Sequence, residues 1–496
     1  MNYISTRNKN IKVPSALAIK QGISEEGGLF VPDSIPSFSV EEISSMVKMN
    51  YRERAFFVLS KYLTDFSENE LRYCTDNAYT NEKFRSEKIA PVVELEKGFN
   101  ILELWHGPTC AFKDMALQIL PFFLTTSIKL TNEDKTVCIL VATSGDTGKA
   151  ALEGFSDVEG TNILVFYPEL GVSNMQKLQM KTQEGNNVGV CAIKGNFDDA
   201  QSGVKKIFTD ENIKNELEKR GYMFSSANSI NFGRLCPQIV YYFSAYCDLL
   251  EEGKINPGEK INVVVPTGNF GNILAAYYAK LAGLPIDKLI CASNKNKVLT
   301  DFINTGVYNK NREFFATSSP SMDILISSNL ERLLFALYEN DDKEIASLMK
   351  KLSEEGEYKV SSEVLEKLQQ NFYGGYCDEE ATLETIKYIF DKYGYTCDTH
   401  TAVAVKVYLD YKEKTNDETV SVIASTASPY KFPDNVLKAV AGENKETDDF
   451  KLLEKLSEET KTEIPNPIKE LKNKKVRFDK VIEKSDMEEA VLDLLK

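Results

Sequence analysis

TVCILVATSGDTGKAALEGFSDVEGTNILVFYP (136–168) decides the fold. Its first seven residues form an apolar, β-branched run, TSGDTG (143–148) is a polar glycine-containing turn, KAALEGF has helical spacing, and NILVFYP is a second strand-like run. Strands that alternate with helices build a parallel sheet. The alternation continues through NMQKLQMKTQ, NVGVCAI and DDAQSGVKKIF, then returns at INVVV (261–265) before ILAAYYAKLAG and at VSVIAS (420–425) before a helix-like region from Pro433. An α/β core is therefore predicted over roughly 95–440. Within it, ERLLFALYENDDKEIASLMKKLSEEG, EVLEKLQQ and EATLETIKYIF read as charged amphipathic helices over 330–392, an elaboration on the sheets. The last ~55 residues are also helix-like and charged.

The bulk properties fit such a core and exclude several functions. At 496 residues the chain exceeds what one hydrophobic core usually serves, and ~150 residues per domain predicts two to four domains. Hydrophobic residues make up 42% and charged residues 27%, and no stretch approaches the ~18 consecutive apolar residues of a membrane span, so no membrane insertion is expected. A net charge of −15 works against nucleic-acid binding, which needs clustered Lys and Arg along the phosphate backbone. Of the two histidines, neither His106 nor His400 sits beside a cysteine or carboxylate at zinc-ligand spacing, and no metal site is expected. The opening MNYISTRNKNIKVPSALAIK lacks the apolar region of a secretory signal, and the nine cysteines form no CxxC pair; a reducing, cytoplasmic setting is expected.

Three polar, glycine-containing loops each follow a strand-like run and precede a helix-like one: TSGDTG (143–148), PTGNFGN (266–272) and STASPYKFP (425–433). In an open parallel sheet, loops at the carboxyl ends of the strands face the ligand crevice. Residues 268–272 suit a phosphate cradle, because glycines admit close backbone approach and a helix start offers unpaired N–H groups. A tight connector is the plain alternative for any one such loop. TSGDTGKA fails the P-loop template, with Thr143 where glycine is required and Ala150 where Ser or Thr is required. Ser144, Gly145, Asp146 and Thr147 instead suit a ring of hydroxyls and amides around a small anion such as a carboxylate. Lys113, in HGPTCAFKD (106–114), sits between Phe112 and the apolar MALQILPFFL. Desolvation there would push its amine toward the neutral form that Schiff-base chemistry requires. Against that stands the ordinary fate of most of the 59 Lys and Arg residues, which is to be solvated at the surface.

Nine stretches, in order, resemble the threonine synthases, pyridoxal-phosphate enzymes of the tryptophan-synthase-like fold class. They are ISTR near the start, EEGGLFVPDSIP (25–36), LWHGPTCAFKDMALQ (104–118), TSGDTG, SSANSINFGRLCPQ (225–238), VVPTGNFGN (264–272), SPSMDILISSNLERLLF (319–335), HTAVAV (400–405) and STASPYKFP. HGPTCAFKD with SMDILISSNLER also separates this family from the shorter cysteine synthases and threonine dehydratases. The resemblance implies two parallel-sheet sandwich domains of fold type II, with an N-terminal region over 1–95 and a catalytic core over 96–440. A smaller subdomain is expected at about 125–220, the helical elaboration at about 330–392, and a helical tail over 441–496. It implies pyridoxal 5'-phosphate as cofactor, conversion of O-phospho-L-homoserine and water to L-threonine and phosphate, and a monomer or homodimer.

Carried over residue by residue, the resemblance makes Lys113 the Schiff-base lysine and Gly268, Asn269, Phe270, Gly271 and Asn272 the holders of the cofactor phosphate. Asp146 takes the position that faces the cofactor's ring hydroxyl, and Thr426 that of the hydroxyl partner of the pyridine nitrogen. Ser144 and Thr147 resemble contacts to the substrate carboxylate, and Asn228, Ser229 and Arg234 resemble contacts to the substrate phosphate, for which a planar guanidinium is well shaped. The chain departs from the family's pattern at Ser428, where histidine is common, and at Thr399, where proline is common. Three rivals stay open: a phospho-lyase releasing 2-oxobutyrate and phosphate, a serine or threonine dehydratase, and a non-catalytic binder of a phosphorylated metabolite. The dehydratase has no use for a substrate-phosphate pocket, and the binder has no need of Lys113.

Overall fold

In a computed structural model, which describes residues 1–443 and 445–495 and only the backbone of Asp198, residues 136–168 form strand Thr136–Ala142, helix Asp146–Phe155 and strand Thr161–Pro168. Strand Thr136–Ala142 pairs in parallel with Thr161–Pro168 on one side and Tyr222–Ser225 on the other. Val188–Lys194 extends the sheet, and Val481–Glu483 completes a five-stranded parallel array at its edge. The larger sheet has six strands in the order Phe372–Tyr376, Ile286–Ser293, Ile261–Pro266, Ser421–Ser425, Phe99–Glu103 and Val92–Glu96. Every pairing in it is parallel except the last. Ile261–Pro266 and Ser421–Ser425 are buried at every residue, as expected for strands covered by helices on both faces.

Two strands differ from the expected layout. The tail adds the edge strand Val481–Glu483 to the smaller sheet and then packs helix Met487–Leu494 against it, so it is not purely helical. The helical elaboration contributes Phe372–Tyr376 to the edge of the larger sheet. Its sequence, FYGGY, lacks the usual strand signature because a side chain at Gly375 would lie 2.6 Å from Val407, and glycine is what lets the strand approach helix Thr399–Thr415.

The N-terminal region opens on a small antiparallel sheet of Asn8–Pro14, Asn2–Ser5 and Phe30–Pro32. Helices Tyr51–Tyr62 and Glu68–Ala78 follow, each started by a capping box in which Asn50 or Ser67 bonds reciprocally with a glutamate three residues on. The region is tied to the core by the fork of Arg7, whose Nε and Nη2 donate to the Glu331 carboxylate at 2.9 and 2.7 Å. At the centre runs helix Phe232–Glu251, buried along nearly its whole length. Among the described residues no helix is long and apolar enough to cross a membrane, and all nine cysteines are free and buried.

Candidate active site

The loops that follow Thr136–Ala142, Ile261–Pro266 and Ser421–Ser425 open on one cleft of about 190 Å³ at the carboxyl ends of both sheets. Lys113, Ser144, Thr147, Asn228, Ser229, Arg234, Gly268 through Asn272, and Thr426 all line it, together with Phe112, Gln238, Ser321 and His400. Of the residues given a role by the resemblance, Asp146 alone is absent from this lining, and Gly145, singled out with it for an anion ring, is absent too.

Lys113 precedes the short helix Asp114–Leu117, on a turn built by its neighbours. The Asp114 carboxylate accepts from the Thr109 N–H at 2.8 Å and the Thr109 hydroxyl at 2.7 Å, closing the turn on itself, and Cys110 takes the left-handed conformation at φ 60°. Burial outweighs the attraction of nearby Asp146 and pushes the Lys113 amine down to about 8, with its Nζ 4.5 Å from the Phe112 ring. The same burial raises the Asp114 carboxyl to about 6. Thr426 comes from the far end of the chain and is fixed beside Lys113 by backbone bonds. Ala111 and Ala427 form an antiparallel bridge, the Phe112 N–H donates to Thr426 O at 2.8 Å, and the Ser428 N–H donates to Cys110 O at 3.0 Å.

Asp146 pairs with Lys431, which has no exposed surface and whose Nζ lies 2.7 Å from Oδ1. The Gln176 amide donates to the same oxygen at 2.7 Å, and the Ser321 hydroxyl reaches Oδ2 at 3.4 Å. Burial opposes ionisation here, yet Lys431 and Lys113 overcome it and hold the carboxyl well below the usual carboxylate range. Lys431 also donates to Thr109 O at 3.0 Å, so one buried ammonium ties the Lys113 loop to the 143–148 loop. His400 completes this wall. Its Nε2 accepts the Ser321 N–H at 3.2 Å, which leaves Nδ1 to donate to Asp398 at 2.7 Å.

The opposite wall is arranged differently. Phe270 sits at φ 62° just before helix Gly271–Leu281, placing the loop 268–272 at a helix N-terminus. Gly268 must be glycine, since a Cβ there would lie 2.5 Å from Ser321 O. Asn272 accepts from the hydroxyls of Tyr241 and Tyr242, and its Nδ2 has no partner. Arg234 is 4% exposed, spends Nη1 on Ala227 O at 2.9 Å, leaves Nε unsatisfied and makes no ion pair among the described residues. Burial alone pushes this guanidinium down to about 10. Arg234 and Asn272, each holding a buried donor with no acceptor, therefore line the cleft beside a helix start, a composition that suits anions.

The two departures have local explanations. Ser428 is fully buried and its hydroxyl accepts the Tyr430 N–H at 3.4 Å. Thr399 occupies the first position of helix Thr399–Thr415, where proline is tolerated, and adds a 2.7 Å hydroxyl bond to Ser318 O. The sequence reading missed Lys431, His400, Ser321 and Gln176. Lys431 and His400 lie inside quoted motifs, but a lysine in a polar loop reads as solvated, and the signal for His400 was its partner Asp398 two residues earlier.

Comparison with known proteins agrees along the whole chain. The profile described as threonine synthase N terminus matches residues 2–79, that described as pyridoxal-phosphate dependent enzyme matches 90–426, and that described as threonine synthase, C-terminal matches 401–491. Threonine synthase-like 1 from Homo sapiens is 42% identical over 434 residues, 85% of this chain, which spans 57% of that relative's length. Threonine synthase from Methylobacillus glycogenes is 35% identical, with 89% of this chain and 92% of the relative covered. The crystal structure of PLP-bound threonine synthase from Brucella melitensis superposes with a TM-score of 0.88 at 35% identity, covering 100% of both chains. The yeast threonine synthase structure superposes with a TM-score of 0.87 at 33% identity, covering 99% of this chain and 97% of the other.

Proposed function

The chain belongs to the threonine synthase family of pyridoxal-phosphate-dependent lyases, and from that premise we propose that it converts O-phospho-L-homoserine and water to L-threonine and inorganic phosphate in the cytoplasm. One observation carries the substrate assignment: Arg234, buried and without a counter-ion among the described residues, lines the same cleft as Lys113 and the 268–272 loop. An uncompensated buried charge is expensive, so an anion is the natural complement. Two anion sites in one cleft suit a phosphorylated cofactor and a phosphorylated substrate together.

The residues present fit pyridoxal phosphate. The free Nδ2 of Asn272, the helix start at Gly271 and the side-chain-free Gly268 suit its phosphate, and the lowered amine of Lys113 suits its aldehyde. When bound, the cofactor supplies an electron sink for the carbanion at the substrate's Cα. In this reading Thr426 offers a neutral hydroxyl to the ring nitrogen. Asp146, held ionised by Lys431, lends negative charge from behind the wall toward the ring hydroxyl. Ser144 and Thr147 orient the substrate carboxylate, and Asn228, Ser229 and Arg234 take its phosphate. Lys113, the sole lysine among the described residues that line the cleft, removes the Cα proton through Nζ, takes one proton from Cβ, and returns one to Cγ after phosphate has left. Water then adds its hydroxyl at Cβ, and Lys113 returns a proton to Cα.

The test follows three products at once from purified holoenzyme and O-phospho-L-homoserine. Threonine and phosphate released in equal amounts support the reading. Phosphate accompanied by 2-oxobutyrate, with no threonine, removes it in favour of a phospho-lyase.

A further inference from the structure

We infer that Asn329 and Arg332 are positioning residues that couple the two anion sites, so that an anion held at Asn228–Arg234 tightens the grip on the cofactor phosphate at Gly268–Asn272. The inference rests on the two-site reading above, but it concerns residues outside both proposed contact sets.

Asn329 is fully buried and immediately precedes helix Leu330–Leu337. Its single amide group bridges the two loops. Nδ2 donates to Asn269 O at 2.9 Å and to Ser229 Oγ at 3.0 Å, while its backbone N–H reaches Asn269 O at 3.2 Å. The amide is held in this orientation from the other end, because Oδ1 accepts from Arg332 Nη1 at 2.5 Å and a flipped amide would oppose donor to donor. Arg332 is itself fully buried, and its fork fastens the substrate-side loop through Ser229 O at 3.4 Å and Ile230 O at 2.6 Å. Its Nε donates to Phe30 O at 3.0 Å, so the anchor reaches the N-terminal region. The neighbouring carboxylate, Glu331, is committed to Arg7 and does not neutralise it.

The bridge has a chemical consequence at each end. By filling a lone pair of Ser229 Oγ, Asn329 leaves that hydroxyl free to donate into the cleft it lines. By holding Asn269 O, it fixes the plane of the next peptide, and in a trans peptide the Phe270 N–H then points away from Asn329. One side chain thus aims a hydroxyl at one site and sets a backbone donor at the other. Neither loop can shift toward an anion without moving an amide shared with its counterpart, and such linkage is reciprocal.

The experiment uses holoenzyme and inorganic phosphate as the probe of the substrate-side pocket, since the cofactor already fills the other. The first-order loss of pyridoxal phosphate to a scavenging apoenzyme is measured with and without saturating phosphate, at constant ionic strength. The wild-type chain should release cofactor at least about fivefold more slowly with phosphate present. Asn329→Ala, and Arg332→Lys should the alanine variant not fold, should bring that ratio to about one, whatever happens to the basal release rate. A purely structural role would change the basal rate and leave the ratio intact, and that outcome overturns the inference, as does a wild-type ratio of one. A chain that shows the ratio but makes no threonine loses the functional reading and keeps the coupling.

Discussion

The two walls of the cleft are built on opposite electrostatic principles. On the Lys431 side every described charge is answered from within the chain: Asp146 by Lys431 and Gln176, and Asp398 by His400 and the start of helix Thr399–Thr415. On the Arg234 side, Arg234 Nε and Asn272 Nδ2 are buried donors with nothing to donate to. Buried polar groups are mostly paired, and these two unpaired donors belong to residues that line the cleft, where a ligand can complete them. In the proposed reading the paired wall is scaffold for Lys113 and the unpaired wall is recognition, so substitutions on the two should fail in different ways.

The largest effect belongs to the residue between them. Lys113→Ala should lower turnover by about 10³-fold or more and abolish the visible absorbance of the bound cofactor, with threonine formation as the readout. On the unpaired wall, Arg234→Met should raise KM for O-phospho-L-homoserine by about 100-fold, the equivalent of about 3 kcal/mol, yet change stability by less than about 1 kcal/mol in denaturant titration. On the paired wall, Lys431→Met strands the buried Asp146 carboxylate and should cost about 3–5 kcal/mol of stability before any effect on KM is considered. If the two variants behave alike, the distinction between the walls is wrong.

Two smaller effects sharpen it. Because burial lowers the Lys113 amine to about 8, its neutral, reactive fraction grows as pH rises through that value. The rate at which apoprotein captures pyridoxal phosphate should climb with a midpoint near 8, and a midpoint in the range of a free lysine contradicts the geometry. Thr399→Pro sits where a helix accepts proline and loses one hydroxyl bond to Ser318 O, so thermal unfolding should register no more than about 1 kcal/mol.

Much of this was legible in the sequence wherever function rests on a local pattern. Residues 137–142 and 263–266 are continuous apolar runs because both faces of a parallel sheet are covered, and their loops announce themselves through glycine. Val481–Glu483 was not legible, being three residues with two exposed, too short for an alternation to register. Phe372–Tyr376 was hidden by the glycines that its packing requires. Within the site, the pairing of Asp146 with Lys431 and the bridge from Asn329 to Ser229 join residues far apart in sequence, and no spacing rule reports a contact that tertiary packing creates. Lys431 misleads most, since a buried lysine and a solvated one have the same letter.

The central claim is that the unpaired guanidinium of Arg234 makes a phosphorylated amino acid the substrate. It is tested most directly by comparing kcat/KM of the wild-type holoenzyme for O-phospho-L-homoserine and O-acetyl-L-homoserine, and repeating the pair with Arg234→Met. The account predicts a preference for the phosphate ester of about 10³-fold or more that collapses in the variant. Equal use of the two esters by the wild-type chain, or a preference untouched by Arg234→Met, would contradict it.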